Sequence, residues 1–267
     1  MTRPKPSPTT DVHVLYQEAV QSPETDVRFY DRYFKKVTGR APRLFREDFC
    51  GTAALSCAWV ELGPDRRAVG VDLDAPTLKW AKANNLSALS DDARRRVDLV
   101  RANVLDLHRP KADILVAVNF SYCIFKSRAL MLDYARNARR SLDRGGMLFM
   151  DAWGGSETQA VQRDRKRCRG FTYVWDQITF DPITYHADCR IHFEFPDGRK
   201  IRNAFTYDWR LWTLPELRDI LEEAGFRDIH VLWETTERRT GGGTGIFRRL
   251  ERGSADKSWV AYIVARP

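Results

Sequence analysis

The 267-residue sequence predicts an α/β fold: a mostly parallel sheet with helices on both faces, then an antiparallel β insertion after the fifth strand. Three observations carry that expectation. Short apolar runs alternate with helical patterns between Arg43 and Ala152. The first two runs each end in acid, at Glu47 and Asp72, before the chain turns into a helix. After Trp153 the apolar period falls to two, in Phe171–Trp175, Cys189–Phe195 and Lys200–Trp209.

The elements follow in order. Two amphipathic helices come first, over Asp11–Gln21 and Asp26–Lys36, with stripes at Val12, Leu15, Tyr16 and Val20, then Phe29, Tyr30 and Phe34. Strands are expected over Arg43–Glu47, Ala68–Asp72, Val97–Ala102, Ile114–Asn119 and Met147–Ala152. Helices over Ala53–Leu62, Ala75–Leu86 and Ser127–Leu142 cover them. Asp143-Arg144-Gly145-Gly146 reads as a helix-ending turn with glycine in a left-handed cap. Pro196-Asp197-Gly198 turns between the last two strands of the insertion. Helix resumes over Leu214–Ala224 and stops at Gly225, and strands over Asp228–Glu234 and Trp259–Ala265 complete the sheet. Gly241-Gly242-Gly243-Thr244-Gly245 lies between those strands. It lacks the Lys-Ser/Thr ending of a phosphate loop and reads as a flexible connector. The expected division is a tail over 1–10, a core over 11–152, the insertion over 153–212 and completion of the core over 213–267.

Composition narrows the class. No apolar run approaches the roughly 20 residues of a membrane span. Met1 to Thr10 is rich in proline and polar residues, which suits a disordered tail and not a signal peptide. Five scattered cysteines without a Cys-x-x-Cys pair read as reduced thiols of the cytoplasm, with neither a disulfide framework nor a metal site. The net charge of +8 attracts anionic partners, nucleic acid included. Its sharpest cluster, Arg163-Asp164-Arg165-Lys166-Arg167-Cys168-Arg169, reads first as a solvated helix or loop face. Arg94-Arg95-Arg96 reads the same way.

The most informative segment is Leu44-Phe45-Arg46-Glu47-Asp48-Phe49-Cys50-Gly51-Thr52-Ala53-Ala54-Leu55: a strand, a tight turn and a helix N-terminus. Val69-Gly70-Val71-Asp72-Leu73-Asp74 follows one helix later. Together the two resemble motif I and the acidic second-strand end of class I S-adenosylmethionine-dependent methyltransferases. The family's first loop reads acid-x-Gly-x-Gly-x-Gly. Aligning Glu47 with its acid puts Phe49, Gly51 and Ala53 at the glycine positions, so only the middle glycine is kept. A dinucleotide's pyrophosphate needs close backbone approach at several glycines, whereas S-adenosylmethionine carries no phosphate and accepts a bulkier loop.

The resemblance implies a Rossmann-like, seven-stranded sheet with its last strand antiparallel, and S-adenosylmethionine as cofactor. It implies Asp72 as acceptor for the ribose diol and Leu73 against the adenine. Asn103, where the family has aspartate, would accept the adenine amine, and Val104 would offer a backbone N–H. Glu47 and the carbonyls of Gly51 and Asn119 suit the methionine ammonium. Arg46 is the nearest cation for its carboxylate, although strand alternation sends Arg46 and Glu47 to opposite faces. Tyr16 is a candidate lid over the methionine portion or a core contact. For Asp72 and Asn103 the competing use is as turn-formers.

Methyl transfer from a sulfonium depends on alignment, and a neutral amine needs no dedicated base. If one exists, the candidates are Tyr122, His186, His192 and Tyr207. His192 lies on the opposite sheet face from Ile191 and Phe193. Asn119-Phe120-Ser121-Tyr122 is loosely similar to the Asn/Asp-Pro-Pro-Tyr motif of enzymes that methylate planar amino groups, but lacks both prolines and reads as a structural turn. Trp153, Tyr173, Trp175, Tyr207 and Trp209 suit an acceptor pocket under an antiparallel cap; a packed sheet face or a homodimer surface suits them equally. The expected function is methyl transfer to a nitrogen or oxygen of a small molecule. The alternatives are an RNA methyltransferase and a non-catalytic S-adenosylmethionine-binding protein.

Overall fold

A computed structural model describes residues 9–237 and 243–267. Most of the expected tail and the start of the glycine-rich connector thus lie outside the described residues. Along the chain come α1 (Val12–Val20), α2 (Pro23–Thr38), β1 (Leu44–Asp48), α3 (Ala54–Val60), β2 (Arg67–Asp72) and α4 (Ala75–Ala81). Then come α5 (Asp91–Arg94), β3 (Val97–Arg101), β4 (Ala112–Ala117), α6 (Arg128–Ser141) and β5 (Leu142–Gly154). The insertion supplies β6 (Gln162–Arg167), β7 (Thr172–Asp181), β8 (His186–Glu194) and β9 (Lys200–Arg210). The chain finishes with α7 (Leu214–Glu223), β10 (Arg227–Thr236), β11 (Gly243–Arg249) and β12 (Trp259–Arg266).

The larger of two compact units spans Pro23–Thr158 and Leu211–Pro267. Its sheet has the order β11-β10-β12-β5-β4-β1-β2-β3. The five strands β1 to β5 run parallel, and β12 is antiparallel to both β5 and β10. Phe45 of β1 is fully buried and stacks on Trp59 of α3 at 5.0 Å, while Tyr30 of α2 packs on Phe149 of β5 at 5.0 Å. Burying each such side chain is worth roughly 1.5–3 kcal/mol, which holds α2 and α3 against one face. On the other face Tyr134 and Ser141 of α6 meet β1 through Asp48 and Arg46.

Three expectations are corrected in this unit. The sheet has eight strands, because Gly243–Arg249 pairs with β10 as an antiparallel edge and is no flexible connector. Phe247 pins that edge against Tyr262 at 4.7 Å. The segment after α6 contains no left-handed glycine cap: Leu142 turns extended directly, and neither Gly145 nor Gly146 has positive φ. Gly146 is needed for close approach instead, since a Cβ there would meet the Ala112 and Asp143 carbonyls at 3.0 Å. β4 stops at Ala117, two residues early, because Asn119 and Phe120 both take left-handed backbone.

Among the described residues the smaller unit comprises 9–22 and Gln159–Arg210. It is an antiparallel sheet of order β6-β7-β8-β9. The helix α1, expected with the core, belongs here. Leu15 and Ala19 pack among Phe171, Ile191 and Phe193, and the Asp11 carboxylate caps the helix by accepting the His13 and Val14 N–H groups. The arginine cluster forms an edge strand, neither helix nor loop. Within the sheet Arg163 pairs with Asp176, and Arg165 with Glu194.

Candidate active site

Parallel β-strands joined by right-handed crossovers bring their carboxyl ends to one edge. Strand register then decides which side chains share a face there. Glu47 of β1 lies opposite Gly70 of β2 and Val116 of β4, and Val116 lies opposite Phe149 of β5. Two residues beyond Gly70 and Phe149 are Asp72 and Asp151. So Glu47, Asp72 and Asp151 stand on the same face at the carboxyl edge of three strands. Each accepts backbone N–H groups from a loop or helix start. Ser56 donates its N–H (2.9 Å) and hydroxyl (2.6 Å) to Glu47, and Gly51 donates to Asp72 at 2.7 Å. Asn119 and Phe120 donate to the two oxygens of Asp151 at 2.6 and 3.0 Å.

Burial pushes the carboxyl of Glu47 up to about 7 despite its bonds to Ser56, and the nearby Asp72 adds to the rise. Burial likewise pushes Asp151 up to about 7, against the two amide bonds. A cation brought to this edge would restore their ionised forms, so the face is electrostatically prepared for a positively charged ligand. Among the described residues no cluster of His, Cys, Asp and Glu is arranged to hold a metal.

The loop after β1 keeps the shape that glycines would give it. Phe49, Gly51 and Ala53 have φ of 59°, 50° and 57°, all left-handed. Two of the three carry a Cβ, at a cost of roughly 1–2 kcal/mol each. Packing offsets the strain: the Phe49 ring lies 5.8 Å from both Phe125 and Tyr134, and Ala53 is fully buried.

The expected cofactor residues divide into two groups. Glu47, Gly51, Asp72, Leu73 and Asn119 lie at the carboxyl edge of the sheet, and Leu73 is 59% exposed there, an apolar surface open to a ligand. Asn103 also lies after its strand, with its side-chain oxygen accepting the Leu105 N–H at 3.0 Å. Buried Val104 is fixed by Asn137, whose side-chain N–H reaches its carbonyl at 2.6 Å. Arg46 is a correction. Its side chain is buried on the α6 face, where Nε pairs with Asp48 at 2.7 Å and Nη1 donates to the Leu107 carbonyl and the Ser141 hydroxyl. Tyr16 sits on α1 in the smaller unit, 5.0 Å from Phe205 and bonded to Tyr207.

Two candidate bases are also corrected. Tyr122 is fully buried and donates to the Asp151 carbonyl at 2.5 Å, and burial holds its hydroxyl far above the usual range. His192 accepts the Asn203 N–H on Nδ1 at 2.8 Å, which leaves its proton on Nε2, 3.3 Å from Asp176. Neither nitrogen has a free lone pair for a substrate. Tyr207 is half-buried, and desolvation raises its hydroxyl well above the ordinary phenol range. His186 is half-buried at the start of β8, and its backbone N–H donates to Thr184.

Sequence reasoning missed Asp48, Ser56, Tyr134 and Asp151. Asp151 had the same signal as Glu47 and Asp72, an acid at the end of an apolar strand. Asp48 and Tyr134 had none, because their bond joins residues 86 positions apart.

This architecture recurs in solved structures. An S-adenosylmethionine-dependent methyltransferase from Clostridium acetobutylicum superposes with a TM-score of 0.68 at 13% identity, over 95% of this chain and 96% of that one. CalS10, an amino pentose methyltransferase from Micromonospora echinaspora, gives 0.66 at 14% identity, over 97% and 98%. KedS8, a sugar N-methyltransferase from Streptoalloteichus, gives 0.62 at 18% identity, over 100% and 99%. No protein-family model and no curated protein matches the chain. The fold is therefore that of class I S-adenosylmethionine-dependent methyltransferases.

Proposed function

We propose that the protein transfers a methyl group from S-adenosylmethionine to a nitrogen of a small molecule. The observation that carries this reading is the row of Glu47, Asp72 and Asp151 on one face of the sheet's carboxyl edge. The cofactor fits that donor set: its sulfonium and ammonium are cationic, and its ribose offers two hydroxyls to a carboxylate. When bound, it supplies an electrophilic methyl group. Asp72 would hold the ribose, Leu73 would cover one side of the adenine, and Glu47 with the Asn119 carbonyl would take the ammonium.

The state of the candidate bases supports nitrogen over oxygen. An alcohol must lose its proton as it attacks, whereas an amine can arrive neutral. Tyr122 and His192 are both spent on structural bonds. CalS10 is an amino pentose methyltransferase and KedS8 a sugar N-methyltransferase, and an amine borne on a sugar is the acceptor class to try first. In the smaller unit Trp175, Tyr207 and Trp209 pack on one another at 4.4–5.8 Å, an aromatic set suited to an acceptor's apolar and cationic groups. The RNA reading loses weight because Arg163 and Arg165 are neutralised within their own sheet. Five free thiols suit the cytoplasm.

Titration calorimetry tests the cofactor directly. S-adenosylhomocysteine should bind saturably, and NAD should not bind. Tight NAD binding would overturn the assignment. Incubation with labelled cofactor and a panel of amino sugars then reads the acceptor class.

A further inference from the structure

The turn after β4 contains two consecutive non-glycine residues in left-handed backbone, Asn119 at φ 57° and Phe120 at φ 56°. Such a pair is strained and persists only where its surroundings enforce it. One side chain bonds both of its amides. The Asp151 carboxylate takes the Asn119 N–H on one oxygen at 2.6 Å and the Phe120 N–H on the other at 3.0 Å. The Asp151 main chain holds the same turn from its far end, where its carbonyl accepts the Tyr122 hydroxyl at 2.5 Å.

This clamp has a directional consequence. In a trans peptide the N–H and the preceding C=O point opposite ways. With the Phe120 N–H drawn to Asp151, the Asn119 carbonyl is turned away from it. The carbonyls on either side are used within the turn, Val118 by the Ser121 hydroxyl at 2.9 Å and Phe120 by the Cys123 N–H at 2.9 Å. Among the described residues the Asn119 carbonyl accepts no hydrogen bond, and Asn119 is only half-buried. We propose that Asp151 is the positioning residue of the methyl-transfer edge: it holds the Asn119–Phe120 turn so that the Asn119 carbonyl is presented to the bound cationic ligand. The proposal rests on the cofactor reading above, and adds to it the task of Asp151, which acts through the turn and not on the ligand itself.

The clamp is strongest when Asp151 is ionised, because each oxygen then accepts one amide. The groups facing it are Asp26 and Tyr30 of α2, Tyr262 of β12 and Tyr122. None is cationic, and Asp26 adds to the rise that burial causes. The clamp should therefore loosen near neutral pH as the carboxyl takes up a proton.

Two measurements test this on the full chain. In the parent, the amide resonances of Asn119 and Phe120 should move together with a midpoint near pH 7; the Asp151→Asn variant should show no such movement. S-adenosylhomocysteine, measured at pH 8 by calorimetry, should bind that variant about tenfold more weakly than the parent. Asn119 and Phe120 amide resonances that keep their parent positions in a folded Asp151→Asn protein at pH 8 would overturn the clamp. Parent-like affinity in a folded Asp151→Asn protein would overturn the positioning role alone. A parent that binds no S-adenosylhomocysteine would overturn the cofactor reading and the role together.

Discussion

Asp72 ties the end of β2 to the loop after β1: one carboxylate oxygen accepts the Gly51 N–H at 2.7 Å, and the other accepts the Asp74 N–H at 2.9 Å. The same carboxylate is the proposed ribose acceptor, so one side chain shapes the loop and receives the ligand. Asp74 has a different task. Its side chain accepts the Thr77 N–H and hydroxyl and caps α4.

These roles separate on mutation. Asp72→Ala should weaken S-adenosylhomocysteine by about ten- to a hundredfold, the equivalent of roughly 1–3 kcal/mol for unpaired buried partners. Asp74→Ala should leave affinity within a fewfold and lower stability by roughly 0.5–2 kcal/mol as a lost helix cap. Calorimetry and denaturant unfolding on both variants check this. Equal losses of affinity would show that the strand end is wrongly assigned.

Glu47 makes stability depend on pH. Its carboxyl titrates near 4.5 when unfolded and at about 7 in the fold, so between those values the folded chain binds more protons. Its contribution is complete below about pH 4.5 and is lost as pH rises through about 7. Both Ser56 bonds go to a single oxygen, which glutamine also offers. Glu47→Gln should thus stabilise the ligand-free protein at pH 8, on the order of 1–2 kcal/mol, with no gain at pH 4.5. Urea unfolding at the two pH values reads the difference. Cofactor affinity should fall in the same variant.

Arg46 should matter for folding and not for the cofactor. Removing it leaves Asp48 buried with only the Tyr134 hydroxyl, and breaking a buried pair costs about 3–5 kcal/mol. Arg46→Met should lower the unfolding midpoint sharply, and replacing Asp48 by Leu as well should recover part of the loss. Affinity for S-adenosylhomocysteine per folded molecule should stay near the parent value. A selective loss of affinity would return Arg46 to the cofactor site.

In the smaller unit, Tyr207→Ala should lower turnover on a true acceptor and leave cofactor affinity within a fewfold. Trp209 is almost fully buried, so Trp209→Ala should also destabilise, by about 3–5 kcal/mol. If the aromatic face serves a homodimer instead, light scattering will show a changed mass with unchanged turnover per folded site.

Binding to tRNA should be electrostatic only. Affinity should fall steeply between 50 and 200 mM salt, on the order of a thousandfold if about six phosphates are contacted, and show no preferred sequence. Site-specific methylation of RNA at physiological salt would overturn the small-molecule reading.

Local pattern was enough for the parallel strands, the helices between them and the carboxylates at two strand ends. Each of these is written in a short window: an apolar run, an acid, a small-residue turn, a capping residue. Strand alternation also separated Arg46 from Glu47 correctly. What a window cannot hold is the partner. The bonds from Arg46 to Ser141 and from Tyr134 to Asp48 span 95 and 86 residues. Those bonds turn a candidate ligand group into a buried structural pair. His192 and Tyr122 looked available for the same reason, until Asn203 and the Asp151 carbonyl were brought against them.

By itself, then, the sequence determined the alternation of strands and helices and the acids at the edge, since propensity and periodicity act over a few residues. Tertiary structure alone decided three further things. It made Phe49 and Ala53 adopt glycine-like backbone, because aromatic packing and full burial outweigh their left-handed strain. It added β11 as an eighth strand, because β10 had an open edge to pair. And it placed Asp151 beside the Asn119–Phe120 turn: Asn119 and Asp151 are 32 residues apart in the chain, and the register of β4 on β5 brings them together.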